Sequence, residues 1–301
     1  MLSAAAGGAA GAALGLPALQ PREARAQAGS GVATQQLGDN LHVLTVAGNN
    51  IVAQTSPDGA VLVDGATAAD SQALLDAVGA LPNGGPATTL FNTHWHPEQT
   101  GSNERLAATG ATIIAQENTR LWLTTDIVWP WNGQRFEPLP EAALPNLTFY
   151  DEGELDSGVR YGHLRHTAHT DGDLYVQFPD ENVLAVGGAA SGAGWPLVDW
   201  WTGGWIGGIV GTMELLLALS DADTRVVPAH GRVLTRSDLE AQFEMYNTIY
   251  ARLAGLLNSG RGPDEAVDAR PTEEYDAEMG PSEEFVRRAF ESLWAYLSPD
   301  A

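Results

Sequence analysis

Four histidines in this 301-residue chain stand where a metal could use them. His94 and His96 flank Trp95 in Thr93-His94-Trp95-His96-Pro97-Glu98-Gln99. His169 lies in His166-Thr167-Ala168-His169-Thr170-Asp171-Gly172-Asp173, and His230 in Val227-Pro228-Ala229-His230-Gly231. Two imidazoles at i and i+2 beside a strand can converge on one cation where the loop bends. The chain has no cysteine, so a transition-metal site must be built from His, Asp or Glu. No G-x-S-x-G nucleophile motif and no phosphate-binding loop competes with this chemistry.

Each histidine falls at the end of a predicted strand, where loops gather reactive groups. Leu41 to Val46, the pair Asn49-Asn50, and Ile51 to Ala53 read as a hairpin, and Ala60 to Asp64 as a buried strand. Apolar residues at Leu74, Leu75, Val78 and Leu81 have helical spacing within 66–81. Thr88 to Asn92 is a strand leading into His94. A short helix is predicted from Ser102 to Ala108, then a strand from Thr112 to Ala115 and a helix from Gln116 to Thr124. Asp126 to Pro145, rich in Trp and Pro, reads as a loop or lid. Strands are predicted at Arg160 to Arg165, Asp173 to Phe178, Asn182 to Val186 and Arg225 to Pro228. A Gly/Trp-rich segment spans 187–211, and helices cover Met213 to Leu219, Ser237 to Leu257 and Phe285 to Leu297. Ser237, with Glu240 three residues on, is the expected N-cap of the second of these. Strands alternating with helices imply sheets covered by helices on their outer faces.

The motifs in their order resemble the metallo-β-lactamase superfamily, from about Asp39 to Met245. The resemblance implies an α/β fold, an αββα four-layer sandwich with metal bound at one edge between two sheets. The family's H-x-H-x-D-H aligns with His94, His96, Glu98 and Gln99. Its G-H-T-x-G aligns with Ala168 to Gly172, its Gly-Asp pair with Gly187-Gly188, and its G-H-G with Ala229-His230-Gly231. Asp64 matches a structural Asp of the family. The resemblance therefore implies a primary metal site at His94, His96 and His169. The family's second site is depleted here: Glu98 replaces Asp, Gln99 replaces His, and Gly188 replaces the bridging Asp. Glu98 and His230 remain as a weak second pair. One metal is expected, with zinc first and iron or manganese as alternatives.

Such a site would lower the pKa of a bound water to roughly 7 and supply hydroxide to an ester, thioester, lactone or amide of a small molecule. Glu98 is the expected general base, and His230 the stabiliser of an oxyanion or the proton donor. Gln99 is expected to hydrogen-bond the water or Glu98. Asp171 is expected to brace a ligating imidazole from behind, with Asp64 as a further supporting residue. The alternatives are a non-catalytic periplasmic binding or accessory protein that keeps the fold, and an oxygen-chemistry enzyme on a mononuclear iron.

Composition narrows the partners. The formal net charge is −23, and all fifteen basic residues are arginines. That surface repels phosphate backbones, so nucleic acid is not expected as a partner. Residues Leu2 to Leu19 form an uncharged Ala/Gly/Leu run followed by Ala24-Arg25-Ala26. Residues 1–26 therefore read as an export signal of weakly apolar, twin-arginine-like type whose charged start is expected upstream. The run is too weakly apolar for a membrane anchor. Residues 27–301 are expected to form one exported domain, periplasmic or secreted. The tryptophans, clustered at 122–131 and 195–205, read as core and loop packing, with an apolar pocket beneath two lids as the alternative.

Overall fold

The structure, a computed structural model, describes residues 31–297. The predicted export signal lies outside the described residues. In chain order, β1 (Val32–Gln36), β2 (Leu41–Val46), β3 (Asn49–Ser56) and β4 (Gly59–Val63) precede α1 (Ser71–Gly79). Next come β5 (Ala87–Asn92), α2 (Pro97–Thr100), α3 (Asn103–Ala107), β6 (Thr112–Gln116) and α4 (Glu117–Leu123). Two short strands, β7 (Ile127–Val128) and β8 (Arg135–Phe136), lead to β9 (Leu147–Phe149), β10 (Glu152–Glu154) and β11 (Arg160–His163). The chain continues through β12 (Leu174–Phe178), β13 (Val183–Gly187), α5 (Ile206–Leu219) and β14 (Arg225–Pro228). It ends with α6 (Arg236–Asn258), α7 (Pro263–Asp268), α8 (Asp276–Met279) and α9 (Glu283–Leu297).

One sheet has seven strands in the order β1-β2-β3-β4-β5-β6-β9; a second has five, β10-β11-β12-β13-β14. The two-residue period of a strand sorts their side chains into three apolar layers. Leu41, Val43, Val52, Phe91 and Ile114 of the first sheet meet Leu174, Val176, Phe178, Ala185 and Val227 of the second. Their neighbours in sequence point the other way. Leu44, Ile51, Leu62, Leu90 and Ile113 pack under α1 and α3 with Leu74, Val78 and Leu106. Leu184, Val186 and Val226 pack under α5, α6 and α9 with Met213, Tyr246 and Phe290. The result is the αββα sandwich that the family resemblance implied. No helix among the described residues is long and apolar enough to cross a membrane.

Several boundaries differ from the sequence reading. The β2–β3 turn is Ala47-Gly48, both at positive φ, and Asn49 and Asn50 belong to β3. Asn50 is retained in the strand by a tertiary role. Its Nδ2 donates to the carbonyls of Pro228 at 3.0 Å and Gly231 at 2.8 Å, tying the hairpin to the His230 loop. Helix α5 starts at Ile206, seven residues earlier than expected, through glycines that propensity disfavours. Packing demands them: a Cβ at Gly208 would stand 2.0 Å from the His166 carbonyl. Helix α6 is capped by Thr235 and Asp238 in a reciprocal box, not by Ser237 and Glu240. The segment 126–145 contains the β7–β8 hairpin. It closes over Trp95 in a cluster with Leu123, Ile127, Trp129 and Leu144.

Candidate metal centre

Strand β5 delivers the first two imidazoles, and buried amides hold the loop that carries them. Asn92 and Asn103 exchange side-chain hydrogen bonds at 3.0 and 2.9 Å across this loop. Asn92 also donates to the Gln99 carbonyl at 3.0 Å. Asp64, at the end of β4 with φ of 69°, accepts from the Thr93 amide at 2.8 Å and from Thr93 Oγ1 at 2.9 Å. Burial pushes the Asp64 carboxyl up to about 7, against the two hydrogen bonds from Thr93. Pro97 at the first turn of α2 ends the extended run, with His96 as the N-cap. His94 and His96 then face the site, while Trp95 between them turns into the lid cluster.

His169 comes from the second sheet, in the β11–β12 loop. Asp173 folds that loop by accepting from the amides of His169 at 2.7 Å and Thr170 at 3.0 Å. Burial raises the Asp173 carboxyl to about 7, opposed by those hydrogen bonds.

The three rings meet tightly. His169 Nε2 lies 3.2 Å from His94 Nε2 and 3.2 Å from His96 Nδ1. The outward nitrogens fix what the inward ones can be. His169 Nδ1 lies 2.6 Å from the Leu197 carbonyl, which only accepts, so the ring must donate there. His96 Nε2 donates likewise to Asp199 Oδ2 at 3.0 Å. His94 Nδ1 meets Thr93 Oγ1 at 3.0 Å, and that hydroxyl hydrogen is committed to Asp64. In each neutral ring the proton therefore sits outside and a lone pair points inward. Three lone pairs about 3 Å apart repel one another, and a cation at their focus removes the repulsion. Ligand nitrogens around a tetrahedral zinc, each bonded at roughly 2.0–2.1 Å, stand about 3.3 Å apart. The donor set therefore fits one such ion. These three residues are the one group of three or more metal-ligating side chains among the described residues.

Electrostatics agree. Burial, then repulsion from His169 and His96, holds His94 well below the usual histidine range. Burial, then repulsion from His96, brings His169 down to about 3. Both stay neutral at any physiological pH, as ligands must. Asp199 is fully buried. Burial opposes its charge, but hydrogen bonds from His96 and Thr202 overcome that and hold it below the usual carboxylate range.

The other expected residues fall around the trio. Glu98 is half-buried, and Gln99 is buried with no partner for its Oε1. Both line a cavity of about 250 Å³ that opens onto the three rings, together with Trp129, Trp195 and His230. His230 lies on the exposed rim, with Nδ1 3.4 Å from the Gly48 carbonyl, and is outside the ligand group. Gln99 makes no hydrogen bond to Glu98. Asp171 does not brace a ligating imidazole: its Oδ1 accepts from Trp122 Nε1 at 2.7 Å, and burial raises it to about 6. The bracing carboxylate is Asp199, whose Oδ2 also accepts from Thr202 Oγ1 at 2.7 Å and from Trp129 Nε1 at 3.3 Å. Sequence reasoning passed over Asp199 inside the Gly/Trp segment. An isolated acid within Leu197-Val198-Asp199-Trp200 was the available signal, because an apolar surrounding demands a partner for a charge. His163 and His166 stay outside the ligand group. Trp129 belongs to the lid cluster and also walls the cavity.

Comparison with known proteins follows the same lines. A sequence model described as the metallo-β-lactamase superfamily matches residues 44–231. DIM-1 metallo-β-lactamase is similar in structure, with a TM-score of 0.57 and 19% identity over 72% of this chain and 97% of that one. A metallo-β-lactamase from Pontibacter korlensis gives 0.57 and 17% over 72% of this chain and 99% of that one. TMB-1 gives 0.56 and 18% over 72% and 97%.

Proposed function

The chain belongs to the metallo-β-lactamase superfamily, and from that premise we propose a metal-dependent hydrolase cleaving an ester, thioester, lactone or amide bond in a small molecule. One observation carries the reading: three neutral imidazoles aim lone pairs at a common point on the floor of an open cavity. We assign zinc to His94, His96 and His169; when bound, it supplies Lewis acidity and an acidified water. The side chains do the rest. Glu98 reaches the same cavity and accepts the proton that water gives up on attacking the carbonyl carbon. His230, on the exposed rim, hands a proton to the departing oxygen, sulfur or nitrogen. Trp129 and Trp195 add apolar surface to the cavity wall and limit the bulk water around the reacting atoms.

One metal suffices in this reading. A Cβ at Gly188 would lie 2.5 Å from His169 Cδ2, so the His169 ring occupies the space that a bridging carboxylate would need. Metal analysis of protein purified without added metal should give about one zinc per chain. Chromogenic esters, lactones and thioesters should be turned over, with activity lost to chelator and restored by zinc. Full-length metal-loaded protein that cleaves none of them would sink the proposal. Iron at full occupancy would replace zinc in it.

A further inference from the structure

The wall of the cavity specifies the charge of what enters it. The chain has no lysine, and among the described residues no arginine lines the cavity. The nearby arginines are already committed. Arg232, two residues past His230, pairs with both oxygens of Asp238 at 2.8 and 2.5 Å. Arg288 belongs to the neighbouring cleft that shares Trp195, Pro196 and Leu197 with the cavity. It bonds Glu284 at 3.1 Å and lies 5.2 Å over the Trp131 ring. Besides the His230 ring on the rim, no basic side chain among the described residues lines the cavity to receive an anionic group.

A divalent ion would bring two positive charges, and these have to be counted. Asp199 behind His96 and Glu98 in the cavity return two negative ones. The loaded cavity as a whole, floor and wall together, therefore gains no surplus positive charge from the ion. The polar wall, by contrast, is rich in acceptors. Gln99 Oε1 is buried without a hydrogen-bond partner, an unfavourable state until a donor arrives. Glu98 is an acceptor beside it.

We propose that the cavity takes an uncharged or cationic substrate and rejects carboxylates and phosphates. An N–H or O–H of the substrate bonds Gln99 Oε1 and Glu98, and its apolar part lies against Trp129 and Trp195. The proposal rests on the cavity being the substrate site, and its test separates the two.

Three 4-nitrophenyl esters of matched length decide it: β-alanyl (ammonium), butanoyl (neutral) and succinyl (carboxylate). The zinc-loaded full chain is assayed in about 0.5 M salt, which screens the −23 field beyond about 4 Å. The butanoyl and β-alanyl esters should exceed the succinyl ester in kcat/KM by about tenfold or more. Ala193→Lys, a substitution at an exposed wall position, should narrow that ratio several-fold by supplying the missing cation. The β-alanyl ester should also exceed the butanoyl ester, and Gln99→Leu should narrow that margin while Glu98 stays in place. In parallel, quenching of tryptophan emission measures binding of 3-phenylpropylamine, 3-phenylpropanol and 3-phenylpropanoate. The carboxylate should bind weakest. Equal or tighter binding of 3-phenylpropanoate, or succinyl ester cleaved as fast as butanoyl, overturns the proposal. If no ester is cleaved, the hydrolase reading falls, and the binding series still decides the charge reading.

Discussion

The floor and the wall of one cavity are built in opposite ways. On the floor, His94, His96 and His169 are buried and each outer nitrogen has a named partner: Thr93, Asp199 and Leu197. On the wall, Gln99 Oε1 has no partner, Glu98 makes no side-chain hydrogen bond among the described residues, and His230 is exposed with one long contact. The floor is finished before any ligand arrives, so its cost is met in folding. The wall is unfinished, and its polar groups gain partners only from solvent or substrate. A site that must grip one ion permanently and release products repeatedly gains from this division.

The sharpest way to break the comparison is Glu98→Gln. If the wall performs proton transfer and the floor holds the metal, kcat should fall by about 10²–10⁴-fold while metal content by elemental analysis stays near one per chain. Loss of metal would merge the two functions. Asp199→Ala attacks the floor instead. Metal affinity, measured by competition with a chromophoric chelator, should fall by about 10–100-fold, and Asp199→Asn should lose less because its amide oxygen still accepts from His96. An unchanged affinity would remove Asp199 from the support of the site.

Gly188→Asp asks whether the wall can be converted into a second floor. The new side chain must displace the His169 ring, so stability should drop by about 1–3 kcal/mol with metal lost from the first site. Two metals per chain would show that the ring yields and that a second site was suppressed by one residue. The smallest effect is expected on the rim. Hydrogen bonds from Arg232 hold the Asp238 carboxyl below its ordinary 3.8, outweighing burial. A depressed folded-state pKa stabilises above that ordinary value and is lost as pH falls through the folded one. Asp238→Asn should therefore cost about 1 kcal/mol or less at pH 7, because Arg232 is solvent-exposed. Thermal melts should show the gap shrinking as pH falls below about 4. A gap that widens in acid would contradict the assignment.

The sequence carried the ligands more clearly than their supports. His94, His96 and His169 are legible because the chemistry of imidazole and the order of the motifs are local properties. Thr93 and Asp64 were half legible: Asp64 was flagged, but the hydroxyl that passes its influence to His94 was not. Asp199 was missed because its partner lies 103 residues away, a distance only the folded sandwich closes. Asp171 was misassigned for the converse reason. Two residues from a ligand in sequence, it turns toward Trp122 instead. The same contrast runs through the fold. Alternating strands such as β2 and β13 are plain from period two, whereas α5 begins among glycines whose propensity argues against a helix. There the close approach of the 166–167 carbonyls decides, and sequence patterns do not record it.

Both hydrogens of the Asn50 amide are spent on carbonyls flanking His230, so a strand of the first sheet pins the tip of β14 in the second. That rivet lies at the mouth of the cavity, not at the far end of the sandwich. Any shearing of one sheet over the other must therefore pull it, swinging the His230 loop before the outer helices loosen. On warming, the shape of the entrance should degrade ahead of helical content, so that inactivation precedes melting.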